Sequence, residues 1–557
     1  MSNSLRRAKD LNLLYSPVKW IVLAWTLCAV NTICRAGNIL VLPTPLARSH
    51  HMGMQAMASE LAQRGGHQVM FLVMDMDPFT TTPAESVVSY GVDTTAHGEQ
   101  FPDLRITADT SCAVWWTQFG TALKHACTGL MSNDTAMKLA RAFKADVMLA
   151  ENLYPCSALL AHKLELPWVN YWAPAPLEPD LTSLWSGANR RLFQPNPLSY
   201  LPQSWMRTTT QRMTFWQRLE NVYHYWEYVV MDSLYNRPLV HLLYKEHSFD
   251  PDAPAERRRL VLTIAPAHWA VEWLRPITPN FKMVGPLLPR PAQPLPQEFN
   301  AFMAQAADQG VLLVSVGTIA QLGHDQVVQM AAAFAKLPCK VLWRLTSSEI
   351  PDASAPFRLG SNTKVVPWVP QNDILAHPHL RAFLSHVGMN SMYEALYHGK
   401  PIVVMPFFAD QLPNAEKVVA KGCGVQVSPA EAGSRKFSAA LDDVLTNSRY
   451  TKAAQALSRK LRARKNTPVE EAADLMEHVL ETEGDAYLKT PDDELSFLVR
   501  SSIDTHASVG ISAALTVALL WKLSRVFARY VVGGPGKHRN DLLSLLIGGK
   551  KKREKSF

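Results

Sequence analysis

Short apolar runs alternate with helix-like stretches along most of the chain, and this alternation limits the fold more than any other feature. Near the start, NILVLP precedes a helical pattern, the break at Gly65-Gly66 and the run QVMFLVM. Similar runs return as ADVMLA and LPWVNYW, and beyond residue 310 as VLLVSV, KVLWRL, AFLSH and PIVVMP. Strands that alternate with helices form parallel sheets. The sequence therefore predicts an α/β fold of two facing Rossmann-like, doubly wound domains, with a ligand between them at the carboxyl ends of the strands.

A proline-rich segment, GPLLPRPAQPLP, separates the two halves. Prolines cannot donate hydrogen bonds to a sheet, and they stiffen an extended connection. We therefore predict a first domain over residues 37–285, a linker over residues 286–296 and a second domain over residues 297–500. A chain of 557 residues is long enough to bury two such cores and to carry appendages at both ends.

Residues 1–36 have the order of a secretory signal peptide. Basic residues come first, the apolar run WIVLAWTLCAV follows, and the small residues Ala36 and Gly37 come last. A buried first strand is the alternative, but NILVLP supplies that strand immediately afterwards. We therefore expect a signal peptide and a secreted or lumenal body.

The second long apolar segment, over residues 507–532, predicts a single transmembrane helix. A span needs roughly 20 residues, which this segment reaches if its basic residues snorkel to the membrane surface. An amphipathic or buried terminal helix is the alternative. Because basic residues crowd its C-terminal side, the tail over residues 533–557 would lie in the cytosol and the body in the lumen. The ending KKKREKSF is similar to the dilysine-type retrieval signals of endoplasmic reticulum membrane proteins.

The net charge of +8 is a property of the C-terminal tail. Residues Lys522 to Phe557 hold ten Lys and Arg against two Asp and Glu, so the rest of the chain is balanced with 46 charges of each sign. The body therefore has no electrostatic basis for binding nucleic acid.

The seven cysteines form no CxxC pair and no metal-binding framework, and they allow at most one or two disulfides in an oxidising lumen. We expect no bound metal and no cofactor. Asn133 begins the triplet Asn-Asp-Thr and is the candidate for N-glycosylation.

A cluster of small and polar residues lies where an apolar run meets a helical pattern in the second half. His386 ends the run AFLS, Gly388 allows a tight turn, and Asn390 and Ser391 begin a helix. Free N–H groups at a helix start, with small polar side chains beside them, form a site for phosphate oxygens. The alternative is that one of the two side chains only caps the helix.

Other polar residues nearby favour a nucleotide-sugar site. Trp368 offers a flat face for a base, and Glu394 lies one helical turn after Asn390. Asp410 and Gln411 follow another apolar run. A carboxylate can accept hydrogen bonds from two ribose hydroxyls, and an acid with an amide can hold a sugar.

Together, W-x-P-Q, H-x-G-x-N-S-x-x-E, H-G-x-P and D-Q resemble the donor-binding signature of the UDP-glycosyltransferases. The likeness extends to Ser49-His50, LYPCSALLAHKL, LRPITPNFKMVG and SVGT, and the terminal segments resemble the membrane-bound animal branch. The resemblance implies a GT-B type fold of two facing Rossmann-like domains with a C-terminal transmembrane helix. It also implies transfer of a hexosyl group from a UDP-sugar.

The resemblance assigns donor-binding roles to ten positions. These are Thr318, Trp368, Gln371, His386, Gly388, Asn390, Ser391, Glu394, Asp410 and Gln411. Trp368 would stack on uracil and Gln371 would bond the uridine, with Glu394 on the ribose. Asp410 and Gln411 would hold the sugar, and the other residues would lie at or near the diphosphate.

Transfer to a hydroxyl requires a base. A histidine titrates near neutral pH, and His50 stands where the family has its base, so we expect His50 to accept the hydroxyl proton in a single, inverting displacement. Glu151, where relatives usually have aspartate, would orient it. His51 is expected to be a structural or acceptor-side residue. Val387 stands where relatives have Gly or Cys, and we expect it to stiffen the turn and to crowd the diphosphate.

The favoured donor is UDP-glucose, with UDP-galactose or UDP-glucuronate behind it. Glucuronate-using relatives carry an arginine in the stretch that corresponds to LTIAPAHW, and none lies between Val261 and Ala270. The expected acceptor is a small lipophilic hydroxyl compound, and the chain has the option of forming a homo-oligomer. A family member without catalysis, acting as a membrane binding partner, is the rival hypothesis. A dinucleotide-dependent reductase is disfavoured because no G-x-G-x-x-G follows a strand.

Overall fold

The computed structural model describes two compact units, and the first contains both sheets while the second contains the C-terminal helix. The described residues are 36–64, 66–75, 86–91, 112–151, 153–173, 214–219, 223, 237–250, 253–274, 277–317, 320–350, 358–408, 410–489, 499 and 503–533. The predicted signal peptide and basic tail therefore lie outside them, except for Ala36 and residue 533. Most of residues 174–236 lie outside them as well.

The first half forms a parallel sheet of seven strands in the order β3-β2-β1-β4-β5-β6-β7. The strands are β1 (Asn38–Leu42), β2 (Gln68–Met74), β3 (Ser86–Tyr90), β4 (Val147–Ala150), β5 (Trp168–Tyr171), β6 (Leu260–Ala265) and β7 (Phe281–Met283). The inner strands β4 and β6 are made largely of apolar residues and are buried throughout, because helices cover both faces of a parallel sheet. The strand order reverses between β1 and β4, which is where ligands bind in such sheets.

Within the described residues, six helices accompany this sheet. They are α1 (Arg48–Gln63), α2 (Cys112–Ser132), α3 (Asp134–Phe143), α4 (Cys156–Leu164), α5 (Arg237–Glu246) and α6 (Pro254–Arg259). A disulfide between Cys127 and Cys156 joins α2 to the start of α4. The Asn133 side chain accepts a hydrogen bond from the Ala136 N–H at 2.9 Å and so caps α3.

The second half forms a parallel sheet of six strands in the order β10-β9-β8-β11-β12-β13. The strands are β8 (Val311–Ser315), β9 (Lys340–Arg344), β10 (Thr363–Val366), β11 (Leu380–Ser385), β12 (Ile402–Val404) and β13 (Gly424–Gln426). Here the order reverses between β8 and β11. The predicted phosphate-binding residues follow β11 directly, so they lie at this reversal.

In the described part of the second half, seven helices surround the sheet. They are α7 (Gln297–Ala306), α8 (His324–Phe334), α9 (Gln371–Ala376), α10 (Met389–Tyr397), α11 (Gln411–Ala420), α12 (Arg435–Thr446) and α13 (Ser448–Arg462). Between β7 and α7 the structure has neither helix nor strand. That stretch contains the proline-rich linker predicted over residues 286–296.

The last described helix of the first unit, α14 (Pro468–Glu481), does not follow the predicted domain boundary. We placed residues 297–500 in the second domain, but Ala472 and Met476 pack into the core of the first sheet beside Ile39. Arg64 at the end of α1 reinforces the contact with an ion pair to Asp474 at 2.6 Å. The chain therefore returns to the first domain after completing the second, because the apolar face of α14 covers one side of the first sheet.

The second unit contains one long helix, α15 (Ile503–Gly533). Residues Asp504–Arg529 within it are long and apolar enough to cross a membrane, with a mean hydropathy of 1.5 and no buried residues. The predicted span over residues 507–532 overlaps this segment closely. Its exposed apolar side chains include Leu515 and Trp521, and such a surface is stable in lipid rather than in water.

Candidate active site

His50 and Glu151 meet at the point where the strand order of the first sheet reverses. The ends of β1 and β4 are neighbours, with Leu42 opposite Ala150. His50 lies in the first turn of α1, and Glu151 directly follows β4. The Nδ1 atom of His50 is 2.8 Å from Oε2 of Glu151. The sequence places these residues 101 positions apart, and the parallel sheet brings them into contact.

The environment of His50 favours its charged form. Burial lowers the pKa of a histidine, but the Glu151 carboxylate and, to a smaller extent, the Asp410 carboxylate outweigh this effect and raise the pKa of His50 above 6.5. A ring held this way by a carboxylate can accept a proton at Nε2 while Nδ1–H stays bonded to Glu151.

Glu151 is fully buried and held at both oxygens. The Thr44 hydroxyl donates to Oε2 at 2.5 Å, and the Ala173 N–H donates to Oε1 at 3.4 Å. The Ser157 hydroxyl fixes the backbone of the same residue by donating to its carbonyl at 2.7 Å. The extra methylene of glutamate is therefore accommodated, and the carboxylate still reaches the histidine.

His51 points to a different partner. Its Nε2 lies 2.9 Å from the Thr44 carbonyl oxygen, and the side chain is buried. We expected either a structural or an acceptor-side role for His51, and this buried contact is a structural one.

Three predicted donor residues of the second domain contact one another. The Gln371 amide donates to the Ser391 hydroxyl at 3.0 Å and to the Glu394 carboxylate at 2.5 Å. Burial raises the pKa of Glu394 to about 7, although the bond from Gln371 opposes the shift. An amide and a carboxylate side by side can hold both the base and the ribose of a nucleotide.

Two glycines make room for His386 at the end of β11. A Cβ atom on Gly317 would lie 2.5 Å from Nε2 of His386, and one on Gly388 would lie 2.7 Å from it. Burial and the guanidinium of Arg344 lower the pKa of His386 to about 4, so its ring is neutral at physiological pH. A neutral ring can donate one hydrogen bond to an anionic group. Thr318, next to Gly317 in sequence, lies outside the described residues.

Val387, in the same turn, has a backbone φ of 55°. A β-branched residue is strained there. Its side chain is buried in the core of the second domain. We expected this residue to crowd the diphosphate, but the side chain packs into the core, so its cost falls on the backbone.

Asp410 and Gln411, at the start of α11, are held by backbone N–H groups and by one side-chain amide. Asp410 Oδ2 accepts hydrogen bonds from the Met389 N–H at 3.2 Å and from the Asn414 amide at 2.9 Å. Gln411 Oε1 accepts from the Phe407 N–H at 2.8 Å. The geometry therefore sets both side chains at the carboxyl end of β12.

The first and second domains, which both belong to the first unit, contact each other at the candidate site. The Asn390 amide of the second domain donates to the Ser49 carbonyl of the first at 3.0 Å. The guanidinium carbon of Arg48 lies 4.9 Å from the centre of the Trp368 ring, and Trp368 is 51% exposed. His50 is close enough to Asp410 for the two charges to affect each other. The predicted base and the predicted sugar-binding acid therefore share one cleft.

The sequence did not point to several residues of this cleft. Arg48 places positive charge beside Trp368, and Arg344 places it beside His386. The only sequence signal for Arg344 is its position as a polar residue near the end of the apolar run KVLWRL. Among the described residues, no group of three His, Cys, Asp or Glu has the arrangement of a metal site.

The sequence profile of the UDP-glucuronosyl and UDP-glucosyl transferases matches residues 37–538. The chain belongs to this family. Its members are enzymes that transfer a sugar from a UDP-sugar, and this chain is therefore a UDP-glycosyltransferase.

Curated relatives cover most of this UDP-glycosyltransferase. Human UDP-glucuronosyltransferase 2A3 is 30% identical over 520 residues, which cover 88% of this chain and 92% of the relative. Bovine UDP-glucuronosyltransferase 3A1 is 32% identical over 420 residues, which cover 74% of this chain and 76% of the relative.

Solved structures show the GT-B fold predicted for the chain. Os79 from O. sativa in complex with UDP has a TM-score of 0.55 at 18% identity, covering 79% of this chain and all of that one. CalG4, the calicheamicin glycosyltransferase, has a TM-score of 0.54 at 21% identity, covering 80% of this chain and 99% of that one.

Proposed function

We propose that this UDP-glycosyltransferase moves a hexosyl group from a UDP-sugar to the hydroxyl of a small lipophilic acceptor with inversion. The hydrogen bond between His50 and Glu151, facing Asp410 across the cleft, carries the proposal. His50 takes the proton from the acceptor oxygen as that oxygen attacks the anomeric carbon and UDP leaves. Glu151 stabilises the imidazolium that forms.

The donor is held by the second domain. Trp368 stacks on the base, and Gln371 with Glu394 binds the uridine and its ribose. The start of α10 and the neutral ring of His386 bind the diphosphate, which offsets the charge of departing UDP without a metal. Asp410 and Gln411 hold the sugar.

We favour UDP-glucose as the donor. The stretch Leu262–Ala270 offers no arginine for a glucuronate carboxylate. UDP-glucuronate is the second candidate, because the human and bovine relatives are named UDP-glucuronosyltransferases.

We place the enzyme in the endoplasmic reticulum membrane as a single-pass type I protein with its catalytic unit in the lumen. The apolar helix α15 and the buried Cys127–Cys156 disulfide support this placement, since disulfides persist in oxidising compartments.

Donor choice is tested by competition. Microsomal full-length protein receives an equimolar mixture of UDP-glucose and UDP-glucuronate with a panel of phenolic and steroid acceptors. We expect glucosides with β configuration, identified by mass and by the anomeric coupling in NMR spectra. Glucuronides as the main product would replace UDP-glucose by UDP-glucuronate in the proposal, and α-linked products would exclude a single displacement.

A further inference from the structure

A buried ion pair lies behind the sugar end of the donor site. Lys417 Nζ of α11 is 2.6 Å from Oε2 of Glu272, and the two residues are only 2% and 1% exposed. Glu272 belongs to the segment that follows β6 of the first domain. Ala267 and Val271 of that segment pack into the core of the second domain. The pair therefore joins the connection between the domains to a helix of the donor site.

The ion pair continues towards Asp410 through Asn414. Lys417 Nζ donates to Oδ1 of Asn414 at 3.2 Å. The Nδ2 group of Asn414 donates to Oδ2 of Asp410 at 2.9 Å and to the Val387 carbonyl at 3.1 Å. The Asn414 oxygen therefore faces a donor, and its NH₂ group faces two acceptors.

Lys417 helps to fix the direction in which the Asn414 amide faces. An ammonium group can only donate, so the amide oxygen must face Lys417 and the NH₂ group must face Asp410. Without that donor, the Asn414 oxygen would lack this partner in the core, and only the NH₂ contacts with Asp410 and the Val387 carbonyl would hold the amide. Because Asn414 is completely buried, water cannot replace the lost donor at low cost.

Among the described residues, hydrogen bonds to the Asp410 carboxylate engage Oδ2 and leave Oδ1 for a ligand. Oδ2 is occupied by the Met389 N–H and the Asn414 amide. Within the described part of the chain, no hydrogen bond to Oδ1 is formed. Holding Oδ2 from behind therefore sets the direction in which Oδ1 points.

At the other end, Glu272 is held in place by Tyr393 of α10. The Tyr393 hydroxyl donates to Oε1 of Glu272 at 3.3 Å and accepts from the His268 N–H at 2.8 Å. Both ends of the chain of contacts are therefore anchored, one in the domain connection and one in the donor site.

We propose that Glu272 and Lys417 are positioning residues for the donor sugar, which act through Asn414 to orient the Asp410 carboxylate. The inference rests on the proposed role of Asp410 in holding the sugar. It predicts that the ion pair contributes to binding of the hexose and not to binding of the nucleotide.

The test compares the affinity for UDP-glucose with that for UDP, by calorimetry on detergent-solubilised full-length protein without acceptor. The main variant is the double substitution Glu272→Gln/Lys417→Met, which removes both charges and leaves no uncompensated ion in the core. We expect the Kd for UDP-glucose to rise about tenfold and the Kd for UDP to change less than twofold. Equal changes in both constants, or no change in either, would overturn the proposal.

Two further variants separate the possible failures. Lys436→Met breaks a surface ion pair with Glu431 by the same substitution, and it should leave both affinities unchanged. Asp410→Asn should weaken UDP-glucose selectively. If it does so while the double variant does not, the positioning role is wrong and the sugar assignment stands. If Asp410→Asn leaves UDP-glucose binding intact, the sugar assignment is wrong and the proposal falls with it.

Discussion

At the residue scale, the site depends on carboxyl groups whose environments differ. Glu151 is held by donors on both oxygens and faces a histidine. Glu394 is buried beside a neutral amide, and its pKa rises to about 7. One carboxylate can therefore stabilise a positive charge that forms during the reaction, whereas the other can exchange a proton near physiological pH.

Replacing Glu151 should move the pH dependence of the reaction. The raised pKa of His50 means that activity rises with pH through a value above 6.5, as the ring becomes neutral and able to accept a proton. Glu151→Gln removes the charge that raises this pKa, so the acidic limb of kcat/KM should shift to lower pH. The maximal rate should fall by roughly 10²-fold or more, because an amide stabilises imidazolium poorly. An unmoved acidic limb in rates of UDP release between pH 5 and 9 would argue against His50 as the base.

Binding of uridine should depend on the protonation state of Glu394. The ionised carboxylate accepts hydrogen bonds from both ribose hydroxyls, whereas the acid form has given up acceptor capacity to its proton. Because the pKa of Glu394 is raised to about 7, uridine affinity should fall by roughly tenfold from pH 8 to pH 6. Uridine is chosen since it lacks the phosphate that titrates in this range. Calorimetry on Glu394→Gln should give weaker, pH-independent binding, and an unchanged pH dependence would contradict the assignment.

At the scale of elements, the turn between β11 and α10 combines strain with burial. Val387→Gly should destabilise the protein less than Val387→Ala. Both lose the two buried γ-methyl groups, at a cost of roughly 1–2 kcal/mol. Glycine loses the β-carbon as well, but only glycine relieves the strain of the positive φ angle, by about 1–2 kcal/mol. Thermal unfolding of the two variants decides the order. A less stable glycine variant would show that the turn is not strained.

The disulfide between α2 and α4 should stabilise the first domain. It closes a loop of 29 residues, and restricting such a loop in the unfolded chain is worth roughly 3–4 kcal/mol. Cys127→Ala/Cys156→Ala should therefore lower the unfolding temperature, and reductant should lower that of the wild type only. Non-reducing peptide mapping checks the pairing. A double variant as stable as the wild type would contradict a stabilising role.

At the scale of the whole molecule, the sequence predicted most of the architecture. Buried parallel strands are short apolar runs, and their alternation with helices leaves few possible topologies. The path of α14 was not predictable in the same way. An amphipathic pattern shows that one face of a helix is buried, but it does not say which of two sheets that face covers. The domain boundary at residue 500 was therefore wrong for Ala472 and Met476, which pack on the first sheet.

The candidate site likewise contains both residues that the sequence predicted and contacts that it did not. Motif residues such as Gln371, Ser391 and Glu394 lie close together in sequence and meet in the structure. The contact between Glu272 and Lys417 joins residues of different domains, and no local pattern marks it. Long-range polar contacts of this kind depend on how the domains pack, which a single sequence does not state.

The most direct test of His50 as the base is to measure transfer by His50→Ala in microsomal full-length protein, together with the protection of the same protein from heat by UDP. We expect acceptor-dependent UDP release to fall by roughly 10²- to 10⁴-fold, while UDP protects the variant as well as the wild type. That result would show an intact donor site that has lost its base. Undiminished turnover in the variant, or a wild-type protein that UDP fails to protect, would contradict the account.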